Sequence, residues 1–113
     1  MFQKNWHKLP AASKRKEYEK IHAEFPHHIP VIVFAPDDLN LNKHKFLIQQ
    51  DMTVGQFMYI LRGRINLNEN DAIFLFVNNT MVSVSQLISI VYKEYKNESG
   101  FVYLHLQKEA TFG

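Results

Sequence analysis

Apolar residues are distributed along this chain in segments of two periods. Ile29 to Ala35 is rich in β-branched side chains, with Val31, Ile32 and Val33 in succession, and reads as a buried strand. Pro30 lies near its start, where a missing N–H is tolerated. After the polar stretch containing Asp37, Asp38, Asn40 and Asn42, Lys45 to Gln49 reads as a second strand, so the two form a hairpin with a long loop. Thr53 followed by Gln56 has capping-box spacing. Val54, Phe57, Met58, Leu61 and Ile65 then recur at the period of a helical face laid on a sheet. Ala72 to Val77 is too short for a typical helix and reads as a third strand, ended by Asn78-Asn79, a pair suited to a turn with positive φ. Met81 and Val82 give a short extension. Ser83 with Gln86 repeats the capping-box spacing before a helix expected to carry Leu87, Val91 and Tyr95 inward, and Gly100 releases Phe101 to Leu106 as the last strand.

The first 24 residues have a different pattern. Phe2, Trp6 and Leu9 recur near one helical turn and Pro10 ends the run, which predicts a short first helix. Ala11 to Glu24 predicts a second, whose apolar stripe is only Tyr18 and Ile21. Two helices, hairpin, helix, strand with extension, helix and strand make an α+β order. Hairpin, helix, strand, short helix, strand is the order of the ubiquitin-like β-grasp, so the fold expected is that β-grasp with two additional N-terminal helices. Residues 1–24 are then a helical extension, 25–107 the β-grasp domain, and 108–113 a flexible tail without apolar period.

Composition narrows the chemistry. A length of 113 residues suits one domain, and the absence of cysteine excludes disulfides, thiolate catalysis and any thioester on this chain's own nucleophile. The longest apolar run, Ala72 to Val77, is far below the roughly 20 residues of a membrane-spanning helix. Residues 1–24 lack the apolar centre of a signal peptide, so a cytoplasmic location is expected. The net charge of +2 is mild; six Lys or Arg in residues 1–24 against three Glu concentrate +3 there, and no nucleic-acid partner is expected. His7, His22, His27, His28, His44 and His105 do not share ligand spacings with carboxylates, so neither a metal nor a cofactor is expected. With no glycine-rich phosphate loop, nucleophile elbow or acid and base pair, the chain is not expected to be an enzyme.

Two features carry functional readings. Lys43, His44 and Lys45 precede Phe46, Leu47 and Ile48, which suits either an edge strand protected by charge or an edge that accepts an extended acidic peptide. The sequence also ends Thr111-Phe112-Gly113, and a terminal glycine on a free tail can enter a narrow catalytic channel and be joined to an amine.

Several stretches together are specific. Lys14-Arg15-Lys16-Glu17 with Lys20-Ile21, Phe25-Pro26, Ile29 to Val33, Lys45 to Ile48, Thr53 to Phe57, Asp71 to Asn79, Gly100 to Tyr103 and Phe112-Gly113 resemble the autophagy-related ubiquitin-like modifiers. That is the family of the GABA type A receptor-associated protein, and the resemblance covers about residues 14–113. It implies conjugation of Gly113 to phosphatidylethanolamine through activating and conjugating enzymes. Phe112 and Gly113 would be recognised by the activating enzyme and by the deconjugating protease.

It further implies recruitment of cargo receptors and autophagy factors through aromatic-x-x-aliphatic motifs. Residues i and i+3 of an extended peptide lie about 10 Å apart on opposite faces, so the motif needs one pocket on each face. The implied aromatic pocket is Glu17, Ile21, Pro30, Lys45, Leu47 and Phe101, and the implied aliphatic pocket Phe46, Ile48, Met52, Phe57 and Ile60. His28, Lys43 and Arg64 would meet the acidic flank of the motif. Leu47→Ala and Phe101→Ala are expected to weaken peptide binding while leaving folding largely intact. Localisation would be cytoplasmic, on the autophagosome membrane when lipidated, and in the vacuole or lysosome. The alternative is a non-conjugated peptide-binding adaptor in membrane trafficking or on microtubules.

Overall fold

A computed structural model describes residues 2–110. Helices α1 (Phe2–Lys8) and α2 (Ala11–Glu24) precede strand β1 (His28–Phe34), a 3₁₀ turn (Asp37–Leu39) and β2 (Lys45–Gln49). Helix α3 (Val54–Arg62), β3 (Asp71–Val77), β4 (Thr80–Met81), α4 (Ile88–Tyr95) and β5 (Val102–Ala110) complete the order. The five strands form one sheet in the order β2-β1-β5-β3-β4, with β1 parallel to β5 and the other pairs antiparallel. This is the ubiquitin-like β-grasp with two N-terminal helices.

The burial pattern explains the sequence pattern. Every residue of β1 from Ile29 to Phe34 is buried, because this central strand is covered on both faces. Ile29, Val31 and Val33 join the main core with Val54, Phe57 and Leu61 of α3, while Ile32 and Phe34 join a second cluster with Trp6 and Phe101. β3 has its main-core packing on one face and alternates buried with half-buried residues. At the start of α3 the Thr53 hydroxyl accepts the Gln56 N–H at 3.1 Å and the Gln56 side chain accepts the Thr53 N–H at 2.9 Å. These bonds satisfy donors that the first helical turn leaves unpaired. Asn78 and Asn79 adopt φ of 47° and 66°, as their turn requires.

Two expectations give way. Ser83 and Gln86 close a turn rather than a helix, with the Gln86 side chain accepting the Ser83 N–H at 2.9 Å. The reason is tertiary: the N–H groups of Val54 and Gly55 donate to the carbonyls of Gln86 (2.8 Å) and Val84 (2.9 Å), and Leu87 bridges to Thr53. These bonds satisfy the exposed start of α3 and hold residues 84–87 outside a helix. Helix α4 therefore starts at Ile88, which is buried in the place expected for Leu87; Leu87 itself is exposed. The last strand begins at Val102 and is longer than expected, because Lys108, Glu109 and Ala110 pair with Ile73, Ala72 and Asp71. Residues 108–110, read from sequence as tail, thus belong to the sheet. Phe112 and Gly113 lie outside the described residues.

Candidate functional site

Among the described residues β2 has a neighbouring strand on one side only, so it is an edge. Its phase is set by the Val33 N–H, which donates to the His44 carbonyl at 2.8 Å. Antiparallel pairing alternates, so Phe46 and Ile48 direct their backbone groups to Val31 and Ile29, while Lys45 and Leu47 direct theirs outward. Side chains alternate as well: Phe46 and Ile48 are buried, Lys45 and Leu47 exposed. One short segment thereby offers free backbone groups, an apolar side chain and a cation together.

On the helical side, Lys45 Nζ lies 2.7 Å from Glu17 Oε1 of α2 and 4.9 Å from the centre of the Trp6 ring. The ion pair is partly exposed and contributes at most about 1 kcal/mol; its consequence is geometric, since it joins β2 to α2 over the second cluster. Ile21 is half-buried against that cluster, and Pro30 pairs with Leu47. Phe101 is only 1 % exposed, with the Trp6 ring edge-on at 5.4 Å and Tyr18 at 6.1 Å. It is a core residue. Truncation of a buried Phe typically costs about 3–5 kcal/mol, which overturns the expectation that Phe101→Ala leaves folding largely intact.

On the other side, Phe46 meets Phe57 edge to face at 5.2 Å. Phe57 is fully buried, whereas Ile60 is exposed and Met52 half-buried, so those two and the edges of Phe46 and Ile48 form the accessible part of this group. Lys43 Nζ and the Arg64 guanidinium stand over the Phe46 ring at 5.0 and 5.9 Å. Both cations therefore meet at one end of β2. His28 does not join them. It pairs with Gln49 at the opposite end, five strand positions from His44, and lines a separate cleft with Tyr18, Pro30 and Tyr92.

The profile of a family described as "Autophagy protein Atg8 ubiquitin like" matches residues 13–113. The chain belongs to the Atg8 family. Autophagy-related protein 8b of Arabidopsis thaliana is 40% identical over 116 residues, covering 98% of this chain and 95% of its own. Autophagy-related protein 8 of Emericella nidulans is 40% identical over 107 residues, covering 92% of this chain and 91% of its own. The crystal structure of Trypanosoma brucei ATG8 superposes with a TM-score of 0.83 at 33% identity, covering 95% of each chain.

In this Atg8-family chain the residue that sequence reasoning missed is Trp6. The helical spacing of Phe2, Trp6 and Leu9 placed it on a short helix but carried no sign that it would seal the face between α2 and β2. Elsewhere on that face, burial first and the charge of His7 second hold the His105 imidazole below its ordinary pKa. His105 packs on Phe34 at 5.2 Å, and His7 packs on the same ring at 5.2 Å. The sign follows from linkage. Above the ordinary imidazole value of about 6.5 both folded and unfolded chains are neutral here; below it the unfolded chain takes up the proton first, so stability falls with acidification. Melting temperatures between pH 7.5 and pH 5 should decline, and His105→Gln should shallow the decline.

Proposed function

We propose that this Atg8-family chain is a conjugated ubiquitin-like modifier that recruits peptides at the outer edge of β2. Supporting the recruiting role is one observation above the rest: Lys45 and Leu47 combine outward backbone groups with exposed side chains on the sheet's free edge. An extended peptide pairing there continues the sheet. Its aromatic residue turns towards Glu17, Ile21, Pro30, Lys45, Leu47 and Phe101, and its aliphatic residue, three positions on, towards Phe46, Ile48, Met52, Phe57 and Ile60. Acidic residues flanking the motif meet Lys43 and Arg64, with His28 serving a flank at the far end. Burial of two side chains, at about 1.5–3 kcal/mol each, falls short by itself of the about 8 kcal/mol of micromolar affinity, so backbone pairing along β2 and the flanking charges supply the rest and the affinity is modest.

Conjugation rests on the family and on Gly113. The glycine carboxylate is activated, carried as a thioester on the cysteines of activating and conjugating enzymes, and transferred to the amine of phosphatidylethanolamine. Phe112 and Gly113 are the residues that the activating enzyme and the deconjugating protease recognise. The chain supplies the acyl group and no catalytic residue, and the adduct places it on the autophagosome membrane.

Incubation with activating and conjugating enzymes, ATP and phosphatidylethanolamine vesicles should yield a lipid adduct that Gly113→Ala abolishes. No adduct from the unmodified chain would leave the non-conjugated adaptor as the better reading. For the edge, calorimetry with an acidic aromatic-x-x-leucine peptide should show affinity about five- to tenfold weaker for Leu47→Ala, a loss of about 1 kcal/mol. An unchanged affinity refutes the pocket.

A further inference from the structure

The chain carries, across the end of its own first helix, the spacing its edge strand is read as recognising. Trp6-His7-Lys8-Leu9 is an aromatic residue followed three positions later by an aliphatic one. Trp6 is 2 % exposed and lies against two members of the aromatic group: edge-on to Phe101 at 5.4 Å and beneath Lys45 Nζ at 4.9 Å. Lys14 Nζ caps the ring at 5.6 Å, and the indole N–H donates to the Tyr103 hydroxyl at 3.2 Å. Every polar atom of the ring is satisfied, and both cations favour its π face. A partner's aromatic side chain has no open route to Phe101 while Trp6 stays there.

We propose that Trp6 occupies in cis the place of the partner's aromatic residue, and that α1 is a displaceable cover whose release is coupled to peptide binding. This rests on the reading of β2 as the motif-binding edge. The cis occupant is a partial mimic. The Leu9 N–H closes onto the Trp6 carbonyl at 3.1 Å, so Trp6 to Leu9 is coiled, and three residues advance only about 4.5–6 Å instead of the 10 Å of an extended strand. Leu9 is accordingly 41 % exposed and does not reach the aliphatic group on the opposite face. The cis segment supplies one anchor, whereas a peptide supplies two and adds backbone hydrogen bonds along Lys45 and Leu47.

The seat of α1 is consistent with release. A helix of seven residues has little stability of its own. Beside it opens a cleft of about 720 Å³ lined by Phe2, His7, Phe34, Leu41 and His44 among others, so the helix is undercut along part of its length. Besides Trp6, its main attachments are the stack of Phe2 on His44 at 4.3 Å and the contact of His7 with Phe34. Two-state coupling then sets the scale. If the open form makes up roughly 0.1–10 % of molecules, the cover weakens apparent peptide affinity by about tenfold or more.

Trp6 is the single tryptophan of the chain, so its emission reports its own burial. The unmodified full-length protein is titrated with an acidic peptide containing a phenylalanine-x-x-leucine core and no tryptophan. At saturation the emission should move to longer wavelength and acrylamide quenching should rise severalfold, and full-length Trp6→Ala should bind the peptide about tenfold more tightly by calorimetry. Binding that leaves Trp6 blue-emitting and protected overturns the proposal, as does a folded Trp6→Ala chain that binds no more tightly. Should Trp6→Ala unfold by circular dichroism, the fluorescence of the unmodified chain decides alone. A peptide bound by neither chain removes the motif-site reading itself, an outcome distinct from binding without displacement.

Discussion

Gly100→Ala should lower stability by about 3 kcal/mol or more, read as a fall in melting temperature of about 12 °C or more. Two independent costs combine. Gly100 has φ of +102°, which side chains with a Cβ rarely adopt, and a Cβ built there would lie 2.3–2.5 Å from three atoms of the Tyr18 ring. Tyr18 projects from α2 onto Phe101, edge-on at 6.1 Å, so moving its ring away would uncover Phe101. The backbone at Gly100 is fixed from the other side too, since its carbonyl accepts the Tyr92 hydroxyl at 2.6 Å. A double-mutant cycle separates the costs: Tyr18→Ala should recover the steric part of the Gly100→Ala loss and leave the conformational part. Additive effects of the two substitutions would show that the ring contact costs nothing.

Phe57→Ala should cost about 3–5 kcal/mol, a large fraction of the stability of a domain this size, and should do so whether or not peptide is present. The side chain is fully buried and holds Phe46 edge-on at 5.2 Å, so its removal leaves a cavity beneath β2. Urea titration should show a lower midpoint with an unchanged slope. Leu47→Ala is the contrasting variant: its side chain is 38 % exposed, and its truncation should leave the midpoint nearly unmoved while weakening the peptide. If Phe57→Ala kept the midpoint of the unmodified chain, Phe57 would not be the packing centre that its burial makes it.

The contrast between Phe57 and Leu47 also marks how far the chain could be read before folding. Alternation along β2 was legible because a strand has period two, so Lys45 and Leu47 necessarily face away from Phe46 and Ile48. The Thr53 and Gln56 cap was legible because both bonding partners lie within one turn. The same spacing at Ser83 and Gln86 misled, since carbonyls in that segment are claimed by the start of α3, some 30 residues away in sequence. Lys108 to Ala110 carried no apolar period and read as tail, but their pairing is with the backbone of β3, which a side-chain pattern does not record. The acidic-flank group was read as one set, and packing divides it: Lys43 and Arg64 share the Phe46 ring while His28 stands at the far end of the strand.

Local periodicity, caps and turn residues, all of which act over a few neighbours, determined from the sequence by itself that this chain is an α+β fold with a charged and apolar second strand. The basic residues before that strand already marked it as an edge, whereas which aromatics were sealed in the core, and the placing of Trp6 against Phe101 and Lys45, were decided only by tertiary structure. The physical reason is range. Hydrophobic burial has no direction, so a Trp, Phe or Leu at helical spacing carries the same signal whether it will face the main core, a second cluster or a partner. Only the assembled sheet, with β2 at its margin and α1 folded over one face, gives each of them a side.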